Sequence, residues 1–402
     1  MFRINYLCFR MKKRNALIFL FPMLFDIIAG LSLFAGRHSF AEMGLSTAKV
    51  GSIMVFFGTG YIFGSLIMGK IIRKETARYQ MLAACSLSAI IFFIAASADN
   101  ILLVQLLYFF LAIFVTMFFN AFQAYMLGVD SRQGKPLSHT AAHYTFAWSA
   151  GFALGPFISG FTKDVFSWEQ VYYVAAVFSL LIGAFSFFFR PRAFASEKAV
   201  QSPENPGSNK DYSLCLQAWL GVIVGAAVWN GVTTIWAVHS ETLGFKTGVK
   251  GLVEFTMTFS QASGALLLIF IRNRFFKPFY NVLFGISGIV GLASFALGNG
   301  KLWIFFIAAV LIGLYNANFF SFMVYHSLAV PEKAVKRVSV NETIVGLSMF
   351  LGPLSAEFAR RAAGSLNGAY FVLAGTVGVA LFVQYLWIKS LLKRKIYEDR
   401  TF

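Results

Sequence analysis

The chain has 402 residues, of which 58% are hydrophobic, 17% aromatic and only 13% charged. Soluble globular proteins carry about 25% charged residues, so this composition excludes a disordered chain, a coiled coil, a collagen and a secreted disulfide scaffold, and argues against a soluble enzyme. The net charge of +17 would suggest nucleic acid in a soluble protein, but here the placement of the basic residues accounts for it.

Met11-Lys12-Lys13-Arg14 offers an alternative start, so residues 1–10 read as a candidate extension. The first apolar run is long enough to span and lacks the small-residue cleavage site of a signal peptide. Cys8, Cys85 and Cys215 are scattered and form no framework.

A membrane-crossing helix needs about 20 mostly apolar residues. Such runs cover 15–36, 47–70, 80–97, 101–128, 143–164 and 169–189, then 213–238, 250–271, 279–297, 302–326, 338–359 and 369–389. The shortest breaks, Asp99-Asn100 and Asn299-Gly300-Lys301, are polar turns. The predicted class is an all-α integral membrane protein of twelve transmembrane helices. An even number of spans puts both termini on one face. That face holds 26 of the 34 basic residues and the other face 8. The positive-inside rule makes the richer face cytoplasmic. The basic residues then sit beside anionic headgroups, and no nucleic acid partner is needed. Arg190 to Tyr212 is rich in Pro, Ser, Asn and charge and reads as a flexible cytoplasmic linker. The expected division is a bundle at 1–189, a linker at 190–212 and a second bundle at 213–402.

The two sets of six spans align at a nearly constant offset. At 200 residues, Gly44-Leu45-Ser46-Thr47 lies over Gly244-Phe245-Lys246-Thr247, Gly51 over Gly251, and Gly64-Ser65-Leu66 over Gly264-Ala265-Leu266. At 197, Leu154-Gly155-Pro156 lies over Leu351-Gly352-Pro353. Repeats of six spans about an axis along the membrane normal are a transporter plan, with the site between the halves.

Between spans two and three stands Gly69-Lys-Ile-Ile-Arg73-Lys74-Glu-Thr76-Ala-Arg78. With the duplicated halves, this resembles the major facilitator superfamily, whose signature there is roughly Gly-x-Leu-x-Asp-Arg-x-Gly-Arg-Lys. Gly69, Ile71, Lys74 and Arg78 fit it. Arg73 replaces the Asp that helps lock the halves in that family. In span five, Gly151-x-x-x-Gly155-Pro156-x-x-x-Gly160 resembles the family's glycine-proline motif, which is linked to antiport. Gly352 and Pro353 repeat it in span eleven. Glycines at i and i+4 admit a close neighbour helix, and Pro156 removes a backbone bond and permits a bend. Packing and coupling both remain open as their role. The resemblance implies alternating access around a central cavity lined by spans one, four, seven and ten.

An ionisable group at the bilayer centre costs about 2.5–3.5 kcal/mol on insertion scales, so it must face a cavity or a partner. Asp26, mid-way along span one, is the clearest case. It reads as a proton-coupling or cation-binding carboxylate, because a carboxylate out of water holds its proton more readily. Glu254 heads a stripe with Thr258 and Gln261 on span eight; it lines the cavity, snorkels to the outer interface or pairs with Lys250. Glu342 beside Arg337, and Glu357 beside Arg360 and Arg361, read as interfacial ion pairs. Candidate solute contacts are Asn120 and Gln123 on span four, Trp229, Asn230 and Trp236 on span seven, and Tyr315 and Asn318 on span ten. Tyr315 and Asn318 share a face, and Asn316 turns away from each by about 100° per residue. Amides and hydroxyls suit a polar uncharged solute, while Asp26 with Trp faces suits an organic cation. Each single amide equally fits an interhelical hydrogen bond.

His139 and His143 lack a third ligand, so no metal and no cofactor is expected. His38 and His239, near the outer ends of spans one and seven, read as ordinary interface residues, with gating or pH sensing as the alternative. Asn341-Glu342-Thr343 falls on the cytoplasmic side, which discounts glycosylation. No GxxxxGK[ST] loop is present to bind ATP. The expected function is secondary active transport of a small solute, coupled to a proton or another ion, by efflux antiport or nutrient symport. A non-transporting receptor on the same fold is the alternative. The partners are then the solute, the coupling ion and the lipid bilayer. One protomer suffices, in the plasma membrane or a Gram-negative inner membrane.

Overall fold

The structure, a computed structural model, describes residues 19–71, 73, 75–128, 137–188, 210–271, 277–328 and 331–398. Among them are twelve long α-helices and no strand. The first half comprises α1 (Leu20–Glu42), α2 (Thr47–Ile71), α3 (Ala77–Ala96), α4 (Ile101–Gly128), α5 (Leu137–Val165) and α6 (Trp168–Phe188). The second comprises α7 (Lys210–Thr242), α8 (Thr247–Leu267), α9 (Pro278–Leu297), α10 (Leu302–Leu328), α11 (Pro331–Ala363) and α12 (Leu366–Glu398).

Local chemistry places the breaks. Gly44 and Gly244 follow α1 and α7 with φ of +72° and +68°, a conformation that favours glycine. Each closes the same cap. Gly44 N–H donates to Ala41 O and Leu45 N–H to Phe40 O, while Gly244 N–H donates to Glu241 O and Phe245 N–H to Ser240 O. This is a Schellman ending, built twice at an offset of 200. The two short polar breaks are genuine turns. Asn100 Oδ1 caps α4 by accepting from Leu102 N–H at 2.8 Å and Leu103 N–H at 3.2 Å. Asn299 and Gly300 both take positive φ.

Several boundaries differ from the apolar runs. α1 reaches Glu42 rather than residue 36, because Arg37 and His38, which read as outer-interface groups, are paired and fully buried. α5, α7, α11 and α12 outrun their apolar runs by several residues, since a helix continues past the hydrocarbon wherever its backbone bonds are met. α7 begins at Lys210, three residues inside the expected linker; residues 190–209 lie outside the described ones.

Nine of the described helices are apolar and long enough to cross a membrane. α5, α8 and α11 are the three that fall short. These are helices of the seam, where α5 packs on α8 and α2 on α11. On α8, Glu254 and Gln261 reach the opposite half rather than lipid, which removes the penalty that charge would meet in hydrocarbon.

The seam is drawn in glycine and proline, twice. A Cβ on Gly251 of α8 would stand 3.0 Å from the carbonyl carbon of Pro156 on α5. A Cβ on Gly51 of α2 would stand 2.7 Å from Pro353 Cβ on α11. The pseudo-repeat inferred from sequence thus recurs in three dimensions, with each proline set against the other half's glycine.

Candidate functional site

α1 lies backbone to backbone on α5. Cβ atoms at Gly30, Gly151 and Gly155 would overlap the backbones of Phe152, Met23 and Gly30–Leu31 respectively. Gly151 and Gly155 therefore pack α1 within the first half, while Pro156 and Gly160 face α8 across the seam. In the second half Gly352 does the same job against Asn230 and Ala227 of α7.

Asp26 sits on the stretch of α1 that these glycines hold. It is 5% exposed and makes no hydrogen bond or ion pair among the described residues. Its electrostatic neighbour is Glu342 of α11. Between the two stands Tyr61 of α2, whose Oη donates to Glu342 Oε2 at 2.6 Å and feels both Asp26 and Tyr144. Two carboxylates, one from each half, thus lie within electrostatic reach of one tyrosine, which bonds only Glu342. Arg337 donates instead to the His326 carbonyl at 2.9 Å.

Glu254 does not pair with Lys250. Lys250 Nζ instead donates to Glu241 of α7. Glu254 reaches across the seam to α1, where Arg37 Nη2 donates to Oε2 at 2.7 Å and His38 Nε2 meets Oε1 at 3.1 Å. Arg37 and His38 are 0% exposed. Removing one partner of such a buried pair costs about 3–5 kcal/mol. Nearby, on the same face of the bundle, Asp164 of α5 accepts from Gly248 N–H at 2.9 Å, capping the start of α8 from the opposite half. Further along the seam, Gln261 Nε2 donates to Ser149 Oγ at 2.9 Å. Glu357 receives Arg360 and Arg361 at 2.7–3.0 Å.

The α7 and α10 candidates separate. Trp236 is 1% exposed, donates to Lys250 O at 3.3 Å and packs among Phe245, Phe295 and Phe305. It belongs to the core of the second half, away from any central surface. Asn318 donates to Asn281 of α9 at 2.9 Å, so its amide is structural. The interior amide is Asn316. Its Oδ1 would lie 3.2 Å from a Cβ on Gly225 of α7, and among the described residues neither its Nδ2 nor its Oδ1 has a partner. Tyr315 is buried beside it, with its ring 5.1 Å from Phe319. Trp229, one turn beyond Gly225, leaves its Nε1 unpartnered and sets its ring 5.6 Å from Phe152 of the first half. Asn230 closes on Ala226 O at 2.8 Å, with its Oδ1 free. Asn120 likewise bonds its own helix at Thr116 O, 2.9 Å away. The side chain of Gln123 lies outside those described.

In the loop after α2, Gly69 lies in the last turns of α2, and Lys74 lies outside the described residues. Arg78 packs its guanidinium 4.9 Å from the Phe187 ring of α6, a contact within the first half. His139 is outside the residues whose side chains are described, and no cluster of three metal-ligating side chains occurs among the described ones.

Sequence reasoning passed over Arg37, His38, Tyr61 and Asn316 as site residues, and with them the Trp148–Phe320 ring pair that joins α5 to α10 at 5.2 Å. One signal was available for the first. Arg37 stands at the end of an apolar run with no acid three or four residues away, which calls for a partner from another helix.

The sequence model of the Major Facilitator Superfamily matches residues 4–353. The chain belongs to that superfamily. It is a multi-pass membrane protein of a transporter family, and family and fold alike point away from an enzyme. No curated protein matches it by sequence. Its fold is similar to the crystal structure of the nucleoside transporter NupG, with a TM-score of 0.65 at 13% identity, covering 94% of this chain and 99% of that one. A point mutant of the same transporter gives 0.64 at 15% identity with the same coverage.

Proposed function

We propose that this superfamily member is a proton-coupled secondary transporter of a small, neutral, polar solute, working by alternating access. The observation that carries the reading is Asp26, a buried carboxylate without hydrogen bond or ion pair on the helix that α5 holds by close glycine contacts. A group placed so is costly to keep charged and is suited to taking up and releasing a proton. Glu342, beyond Tyr61 in the other half, ties that charge to the position of the second half.

The solute would meet unpartnered amides and ring faces. Asn316, Asn230 and Trp229 bring buried polar atoms without partners, and Trp229, Phe152, Trp148 and Phe320 bring ring surfaces. That combination suits a flat, hydrogen-bonding, uncharged molecule. A nucleoside, the cargo named for the transporter of similar fold, is one such molecule. The protein acts in the plasma membrane, or the inner membrane of a Gram-negative cell, with both termini cytoplasmic, as a monomer.

The test is flux into liposomes under an imposed pH gradient, with nucleosides and sugars as solutes, for wild type and Asp26→Asn. Gradient-driven flux that Asp26→Asn uncouples supports the reading, and the sign of the effective gradient tells symport from antiport. Flux that the substitution leaves gradient-driven removes Asp26 from coupling. Solute binding without turnover favours a receptor.

A further inference from the structure

The cluster that joins α1 to α8 is charge-balanced, and the balance has a mechanical consequence. Arg37 and Glu254 cancel, as do Lys250 and Glu241, and His38 adds no charge when neutral. Arg37, His38, Lys250 and Glu254 are all at most 3% exposed. The unmatched carboxylate on the helices around them, Asp164 of α5, is exposed and lies outside the sealed group. Tyr108 of α4 and Tyr172 of α6 share a neutral hydroxyl contact near Arg37. On α5, Lys163 is engaged by Glu42 and Asp164 by the Gly248 N–H.

We propose that this cluster is a proton-released latch on the face of the bundle opposite the termini: the halves close there only while Arg37 faces an ionised Glu254 beside a neutral His38. This deepens the alternating-access reading and gives Glu254 a coupling role of its own, with Arg37 and His38 as positioning residues. One proton added to either Glu254 or His38 leaves a net positive charge sealed from water. Opening the seam hydrates that charge. The open form therefore binds more protons than the closed one, and acid shifts the equilibrium toward open. For one linked proton the open-to-closed ratio changes by up to about tenfold per pH unit.

The sign is what makes the latch testable. Arg37→Gln leaves the sealed cluster one charge negative. A proton then restores balance, so acid closes this variant where it opens the wild type. Glu254→Gln leaves Arg37 unmatched and holds the seam open. The double variant removes both charges and closes at pH 8 as the wild type does, which also establishes that the fold tolerates both changes.

The experiment is electron–electron distance measurement in nanodiscs between spin labels at Met43→Cys and Thr242→Cys. These exposed positions flank the two equivalent turns, one on each half. The background replaces Cys8, Cys85 and Cys215 with Ser. Between pH 8 and pH 5.5 the long-distance population is expected to grow in the wild type and shrink in Arg37→Gln. A wild-type distribution that does not move, or an Arg37→Gln response in the wild-type direction, overturns the proposal. The measurement needs no solute. If the distances shift as expected while liposomes show no flux, the latch stands and the transport reading fails; flux with immobile distances gives the reverse.

Discussion

Gly251→Val tests whether the halves separate along the seam. The added Cβ would stand 3.0 Å from the Pro156 carbonyl carbon, closer still to its oxygen, and 3.5 Å from Gly160 Cα. All three are backbone atoms, so no rotamer change relieves the clash, and α5 and α8 must move apart. Overpacking a tight contact costs about 1–3 kcal/mol, and valine's two further methyls put this case toward the upper end. That energy applies only where the seam is shut. The closed population should therefore fall by roughly 5- to 150-fold against an open form that carries no clash. Liposome flux should drop by a comparable factor, thiol labelling at Met43→Cys should rise, and helical content should stay at the wild-type level. Gly375→Ala is the control, because nothing lies within 4 Å of its added Cβ. Wild-type flux and labelling in Gly251→Val would refute the idea that these backbones part and meet during transport.

Asn316→Ala should weaken solute binding at least tenfold in a tryptophan-quenching titration with little loss of thermal stability, because the amide has no protein partner to lose. Asn318→Leu should do the opposite. It leaves Asn281 unpaired and should cost about 0.6–1.7 kcal/mol, the range measured for interhelical hydrogen bonds, and Asn281→Leu in the same chain should recover most of it. Gly44→Ala and Gly244→Ala should each lower the unfolding midpoint in detergent, by about 1 kcal/mol of stability, since both turns hold φ near +70°. Equal losses at the two sites would follow from their equal geometry.

The sequence shows the fold readily and the site only in fragments, for one reason. Hydrophobicity and glycine act locally. Runs of apolar residues, the Gly44 and Gly244 turns, and the Gly-Pro pairs at 155–156 and 352–353 are visible one segment at a time. The polar site depends on rotation about each helix axis and on which helix stands opposite. Periodicity already sets Asn316 and Asn318 on different faces, but which face is interior depends on α7 flanking α10 on one side and α9 on another. The i−4 spacing left a Glu254–Lys250 pair as one open reading, yet Glu241, arriving from α7, takes the lysine and frees the glutamate for α1. Trp236 shares a helical face with Trp229 by periodicity, but near its end α7 is enclosed by Phe295 and Phe305.

The duplication also tells structure from chemistry. Packing is repeated: Pro156 meets Gly251 as Pro353 meets Gly51, and the turns after α1 and α7 are copies. The polar groups are not. At an offset of 200, Glu254 corresponds to Met54, Arg37 to Ala237 and His38 to Val238. The α2–α7 contact that mirrors the latch is therefore apolar. Asp26 corresponds to Ala226, Asn120 to Phe320 and Asn316 to Thr116. A symmetric seam lets two halves rock with similar geometry on either face of the membrane. Under the proposed function, a carboxylate on one half and amides on the other would give a proton and a solute separate places to bind. A latch on one face only means that the two closures respond differently to acid. If the repeat were only a scaffold for packing, swapping the latch for its apolar counterpart, Arg37→Ala with His38→Val and Glu254→Met, would leave the pH dependence of flux untouched. The asymmetry argues that this triple variant keeps the fold and loses that dependence on the face opposite the termini.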